Sequence, residues 1–177
     1  MRAPRSPKTV QQAISRAESV LRKKTRAAPA GQRDPRWQAI LQVGDFIESD
    51  PDAVWSFIRT WGQSKDGDLR MAVATCLLEH LLEYHFDRFI ARVEEAARGH
   101  ARFASTVSYC WKCGQATEPS RAARLDRLIS ASREKSKKLP RSQRFTPDTR
   151  VPRRKSASGK PRPTKAKSSR NKPRNRS

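Results

Sequence analysis

The sequence predicts an all-α fold, either antiparallel helix pairs or a compact helical bundle, followed by a disordered basic tail. Three observations lead there. Apolar residues recur at three- and four-residue spacing in every segment of the body. Two Asp-Pro pairs, Asp34–Pro35 and Asp50–Pro51, have the form of an N-cap followed by a first helical residue. No segment alternates apolar and polar residues as a half-buried strand would, and no Asn-Gly or Gly-Gly hairpin signal occurs.

The elements follow in chain order. "TVQQAISRAESVLRKK" sets Val10, Ile14, Ala17 and Leu21 on one helical face. A helix over 35–48 begins at Pro35, with Trp37, Ile40, Leu41, Gly44 and Ile47 as its stripe. The next, over 51–61, carries Val54, Phe57, Ile58 and Trp61, and Gly62 closes it. The short junction at Asp50–Pro51 implies that these two fold back on each other as a tight pair. In "GDLRMAVATCLLEHLLEYHF", Asp68 is the expected N-cap of a helix over 68–85. Leu69, Val73, Cys76, Leu77, His80, Leu81 and Tyr84 form one face, and Met71, Ala74, Leu78 and Leu82 a second. Thr75, Glu79 and Glu83 are left as a narrow polar strip, the signature of an inner helix. Its expected partner, 87–98, ends at Gly99. "ARFASTVSYCWKCG" reads as a shorter helix presenting Phe103, Val107, Cys110 and Trp111 and ending on Gly114. A charged last helix carries Leu125, Leu128 and Ile129.

Charge divides the chain. Residues 1–36 have a net charge of +8, residues 37–115 of −3 and residues 116–177 of +17. The predicted organisation is a basic arm with one amphipathic helix over 1–33, a helical domain over 34–134 and a disordered tail over 135–177. Beyond Val151 only Ala157 and Ala166 are hydrophobic, too little apolar surface to offset chain entropy. No run approaches the roughly 18–20 apolar residues of a membrane-spanning helix, so no membrane partner is expected. The N-terminus lacks the apolar core of a secretory signal; it is Arg-rich like a transit peptide, but Pro4 and Pro7 oppose a helix there. Three cysteines are too few for a disulfide framework, and a reducing, cytoplasmic compartment is expected.

"LRMAVATCL", residues 69–77, resembles the second-helix pattern of a HEAT-like, armadillo-type repeat: an aliphatic residue, an arginine, then small and aliphatic residues at helical spacing. The resemblance implies that Asp68 and Arg70 bond to neighbouring loops as structural repeat residues. "WGQSKDGDLRMAVA" also resembles the HEAT-like repeats of DNA-alkylation-repair glycosylases, over residues 37–114. Such an enzyme would require an aromatic cleft with a carboxylate, for which Trp37, Trp55, Trp61 and Asp68 are available. Their regular helical spacing favours packing instead.

Chemical motifs are sparse. "CWKC" supplies Cys110 and Cys113; with Cys76 and His80, four apart on one helical face, it would make a Cys₃His zinc set. Against that reading, buried cysteine is an ordinary small core residue. Thiolate chemistry at "CWKC" is disfavoured if Gly114 marks a helix C-terminus, where the dipole opposes a negative charge. His80 and His85 are five apart and share no helical face. No phosphate-binding Gly loop, G-x-S-x-G or Walker lysine is present, and no catalytic residue is assigned.

The tail is the clearest functional signal. Arg150, Arg153, Arg154, Lys155, Lys160, Arg162, Lys165, Lys167, Arg170, Lys172, Arg174 and Arg176 alternate with Pro, Ser and Gly. Such a segment can bind DNA or RNA through phosphates without reading sequence; a solubilising appendage whose binding is incidental is the alternative. After Trp111 the only aromatic is Phe145, so the tail offers no stacking platform. The expected function is a non-catalytic helical interaction module, its body binding a protein partner and its tail holding nucleic acid. A repair-glycosylase-like protein acting on damaged DNA and a small zinc-stabilised domain are the alternatives.

Overall fold

The computed structural model describes residues 6–23, 28 and 32–144 and is all-helical there. The tail positions named above all lie outside the described residues, as does most of the disordered tail expected over 135–177. Its first residues, 135–144, are instead ordered, with the last helix running to Ser136, Leu139 buried and a 3₁₀ turn at Arg141–Gln143. Seven α-helices run in order: α1 Val10–Arg22, α2 Pro35–Gly44, α3 Pro51–Trp61, α4 Gly67–Val73, α5 Glu79–Gly99, α6 Ala101–Val107 and α7 Pro119–Ser136. A π-helical turn, Ala74–Leu78, joins α4 to α5, and 3₁₀ turns form at Gly114–Thr117 and Arg141–Gln143.

The helix starts follow from the caps. Asp34 accepts the backbone N–H of Arg36, and Asp50 that of Ala53, each ahead of a proline whose missing N–H costs the first turn nothing. Glu118 does the same for α7, accepting from Ser120 and Arg121 ahead of Pro119. The cap of α4 is Asp66, which accepts from Asp68 and Leu69. The expected cap, Asp68, instead lies inside the first turn, where its carboxylate is freed for other bonds.

The helix expected in the basic arm belongs to the core. Val10, Ala13, Ala17 and Leu21 are buried, and α1 packs chiefly along α2, where the two alanines permit close approach. This changes the expected pairing. α2 stops at Gly44, followed by turns over 45–49, and packs against α1, α4 and the π turn rather than closely against α3. The absence of a side chain on Gly44 matters here: a Cβ would lie 3.3 Å from the carbonyl oxygen of Cys76. α3 sits on α1, α4, the π turn and α5, while α6 and α7 share the most extensive helix–helix contact.

The expected boundary between 68–85 and 87–98 coincides with a break at His85, whose φ of −136° and ψ of 39° leave the helical region. One residue, not a loop, makes the change of direction. The groups it strands are satisfied from outside. The side-chain amide of Gln115 donates to the carbonyl of Tyr84 at 2.7 Å and accepts the N–H of Phe86 at 3.1 Å. His85 Nε2 lies 3.1 Å from the carbonyl oxygen of Ile47.

The core runs through Ile40, Val54, Ile58, Leu77, Leu81, Phe89, Ile90, Phe103 and Leu125, all fully buried. Each contributes about 1.5–3 kcal/mol of transfer free energy. Three side chains expected inside are outside: Leu41 is 45% exposed, Tyr84 43% and Trp111 75%. Glu79, expected in the solvated strip, is buried.

Candidate functional site

The polar chemistry of the body is concentrated at three places, beginning with a guanidinium between two helix starts. Arg36, in the first turn of α2, is buried, and it donates to three carboxylates: Asp34 at 2.7 Å, Asp66 at 3.0 Å and Asp68 at 2.6 Å. Two of those acids are the N-caps of α2 and α4, so Arg36 ties the two caps together. Its hydrogen bonds hold the Asp34 carboxyl below the usual carboxylate range, against the opposing effect of burial. The indole N–H of Trp37 also donates to Asp68, at 3.4 Å.

Arg70 is fully buried in α4. Its guanidinium donates to the carbonyls of Ser64 (2.6 Å), Lys65 (3.3 Å) and Gln143, fastening the loop before α4 and the last described turn to one side chain. Asp68 and Arg70 thus both bond to neighbouring segments. Trp55 is buried and meets Phe103 edge-on, with centroids 5.9 Å apart. Its rim faces a cleft of about 680 Å³ between α3 and α5, together with Arg59, Arg92, Glu95 and His100. Trp37 and Trp61 are half-buried, the latter beside Phe57. Asp68, the carboxylate available to a repair-type cleft, is committed to Arg36 and Trp37.

The third place is the segment after α6. That helix ends at Val107, so "CWKC" lies in an extended connection and not at the helix C-terminus expected at Gly114. Gly114 opens a 3₁₀ turn with φ +46°, and a Cβ there would meet Glu83 Cγ at 2.5 Å. The connection is fixed at several points. Cys110 is buried, and its thiol points to the carbonyl of Thr106 at 3.9 Å. The backbone N–H of Trp111 donates to the buried carboxylate of Glu79 at 3.0 Å, and Lys112 pairs with Asp126 of α7 at 2.8 Å. Burial pushes the Glu79 carboxyl up, partly offset by the Trp111 N–H. Between this connection and α7 opens a cleft of about 480 Å³.

The four zinc candidates are not brought together. His80 is half-exposed and its Nδ1 lies 2.7 Å from Glu83; Cys76 lies near the hydroxyl of Thr75 at 3.9 Å. Among the described residues no group of three His, Cys, Asp or Glu side chains is placed to hold a metal ion. Burial also pushes the thiols of Cys76, Cys110 and Cys113 up, away from the thiolate form a ligand or nucleophile requires. Among the described residues no helix is long and apolar enough to cross a membrane.

Sequence reasoning missed Arg36 and Glu79. The spacing Asp34-x-Arg36 with Asp66-x-Asp68 carried a signal for the first: acids flanking two helix starts, with a cation two residues beyond one of them. No spacing rule marked the second.

Fold and surface together define a small all-helical protein in which Arg36 gathers the acids at two helix starts, the buried Glu79 is held by a backbone N–H, and the basic charge is greatest toward the C-terminus. The chain belongs to a family of unknown function, DUF6869, which matches residues 25–132, well over half of the sequence. No curated protein and no solved structure matches it.

Proposed function

We propose that this protein is a non-catalytic helical interaction module, tethered to RNA or DNA by its cationic C-terminal region through sequence-independent phosphate contacts. The observation that carries the reading is the pairing of charges in the body. Arg36 engages Asp34, Asp66 and Asp68; Arg88 and Arg92 engage Asp52; Arg121 engages Asp87; Arg124 engages Glu94. Five of the eleven carboxylates in residues 37–115 are paired in this way, two of them with Arg121 and Arg124, and the six others fall well short of neutralising the +17 that follows residue 115. That basic stretch already begins on the described fold. From Pro119 to Arg144 nine Lys/Arg stand against Asp126 and Glu134, and Arg133, Lys138 and Arg141 make no ion pair among the described residues.

A polycation of this kind gains affinity by releasing counterions from nucleic acid. The body would bind a protein partner through the side chains it leaves in water, Leu41 and Tyr84 among them. A HEAT-like origin for the body is supported by the bonds of Arg70 to the loop before α4 and of Asp68 to the first turn of α2. The packing of α2 on α1 argues for an irregular member and not a regular array.

The test is a salt titration of binding to duplex DNA and single-stranded RNA. It compares the full chain with a full-length variant whose twelve basic residues between 150 and 176 are replaced by Gln. Steep salt dependence that flattens in the variant is expected. Equal slopes for the two proteins would remove the tether.

A further inference from the structure

We propose that the cleft between the Trp111 connection and α7 is a stacking site for an unpaired nucleobase, with Trp111 as the platform and Arg133 as the contact for the adjoining phosphate. The inference rests on the tether reading above and makes it specific: the body itself would select single strands.

Four observations converge on it. Trp111 is 75% exposed, by far the most exposed of the large hydrophobic side chains among the described residues. Leaving an indole in water forgoes a transfer free energy of the order a buried aromatic supplies, so its position has no explanation in packing. The backbone beneath it is nonetheless fixed. The N–H of Trp111 is held by Glu79, the preceding Cys110 is buried, and the following Lys112 is pinned to Asp126. An exposed aromatic on a fixed backbone is preorganised for a flat ligand, which lowers the ordering cost of binding.

The cleft beside it, about 480 Å³, is lined by Met71, Trp111, Lys112, Asp126, Ile129 and Arg133 among others. Its volume lies within the range of small-molecule sites. Apolar walls with a cation at the rim match a base joined to a phosphate. Lys112 is neutralised by Asp126, whereas Arg133 makes no ion pair among the described residues. Charge complementarity decides between occupants. The cleft lies against the cationic α7, in a chain of net charge +22, which favours an anionic strand over the apolar side chain of a protein partner. Paired bases are already stacked within the duplex and cannot reach such a platform.

The experiment uses full-length wild type, Trp111→Ala, Trp111→Phe and Arg133→Gln with an oligouridine, the matching oligothymidine and a duplex DNA of equal length. Trp111→Ala is expected to weaken single-strand binding about tenfold and to leave duplex binding unchanged. Trp111→Phe recovers most of the loss, and Arg133→Gln lowers the single-strand salt slope by about 0.7. Oligouridine quenches the tryptophan emission of wild type, and Trp111→Ala loses that quenching. Because Trp111 is exposed, the variant should melt as wild type does, which separates a lost contact from a lost fold. Unchanged single-strand affinity in Trp111→Ala, with normal binding by wild type, would overturn the stacking site, keep the tether and leave the cleft to a protein partner. Failure of the wild type to bind any of the three at low salt would overturn the tether and the site together.

Discussion

The carboxylate of Glu79 accepts the backbone N–H of Trp111 at 3.0 Å, linking the start of the longest described helix to the most exposed large hydrophobic side chain among the described residues. A buried acid holding a loop in this way has a definite signature in pH. The carboxyl is pushed up from its ordinary 4.5 by burial, so between 4.5 and the raised value the folded chain holds a proton that the unfolded chain has lost. The stability this group contributes is present below 4.5 and is lost as pH rises through the folded value.

Glu79→Gln should therefore raise the melting temperature at pH 7, because the amide oxygen still accepts from Trp111 while the buried charge is gone. The difference from wild type should shrink as the pH is lowered toward 4.5. Thermal melts at several pH values read both effects. A variant less stable than wild type at pH 7 would show that Glu79 gains more from its charge than burial costs it.

Arg36→Ala removes the shared donor of Asp34, Asp66 and Asp68 and leaves three carboxylates facing one another at two helix starts. Removing one partner of a buried ion pair costs about 3–5 kcal/mol; the partial exposure of Asp66 and Asp68 places this case at the lower end, about 3 kcal/mol. Urea unfolding measures it. Asp34 is held below its ordinary 3.8, so its contribution is present above that value and is lost as pH falls through the lower folded one. Wild type should accordingly lose stability in that acid range, and Arg36→Ala should lose less.

Gln115→Ala strips the amide that serves both backbone groups at the break in α5. Water can replace part of the loss because Gln115 is exposed, so about 1 kcal/mol is expected. The sharper readout is amide hydrogen exchange. The N–H of Phe86 should exchange faster in the variant while that of Val93, further along α5, keeps its protection.

Gly114→Ala should cost more than an ordinary loop substitution. The position has φ +46°, and a Cβ would meet both the side chain and the backbone oxygen of Glu83, at 2.5 and 3.0 Å. Strain of this sort is worth about 1–3 kcal/mol. A melting temperature unchanged from wild type would mean that the turn relaxes without resistance.

Much of the fold was legible. Asp34–Pro35 and Asp50–Pro51 start helices, Gly62 caps one, and Gly99 ends another, because proline and glycine act locally and need no tertiary information. The pairing of α2 with α1, in place of the expected pairing with α3, was not legible, because the small face that receives α2, Ala13 and Ala17, lies on α1 in a segment whose charge marked it as an appendage. Trp111 was placed inside because periodicity counts a tryptophan as apolar wherever it falls. The end of α6 at Val107 put it on a connection instead. Arg36 was counted only as one of the ten basic residues in the charged stretch 1–36, although its position in the first turn of α2 makes it an internal anchor.

Glu79 escaped notice for a geometric reason that lies in the π turn. An α-helix advances about 100° per residue, and a wheel drawn on that basis aligns Thr75, Glu79 and Glu83 on one wet edge. The turn over Ala74–Leu78 accommodates one residue more than α-geometry allows, so everything after it is rotated back by one position relative to everything before. Glu79 consequently points where its predecessor would have pointed in an unbroken helix. The turn behaves as a single-residue insertion that was absorbed without breaking the rod, and its effect is one of phase. Excising one residue from it would restore an ordinary helix, swing Glu79 away from Trp111 and leave that loop without its anchor.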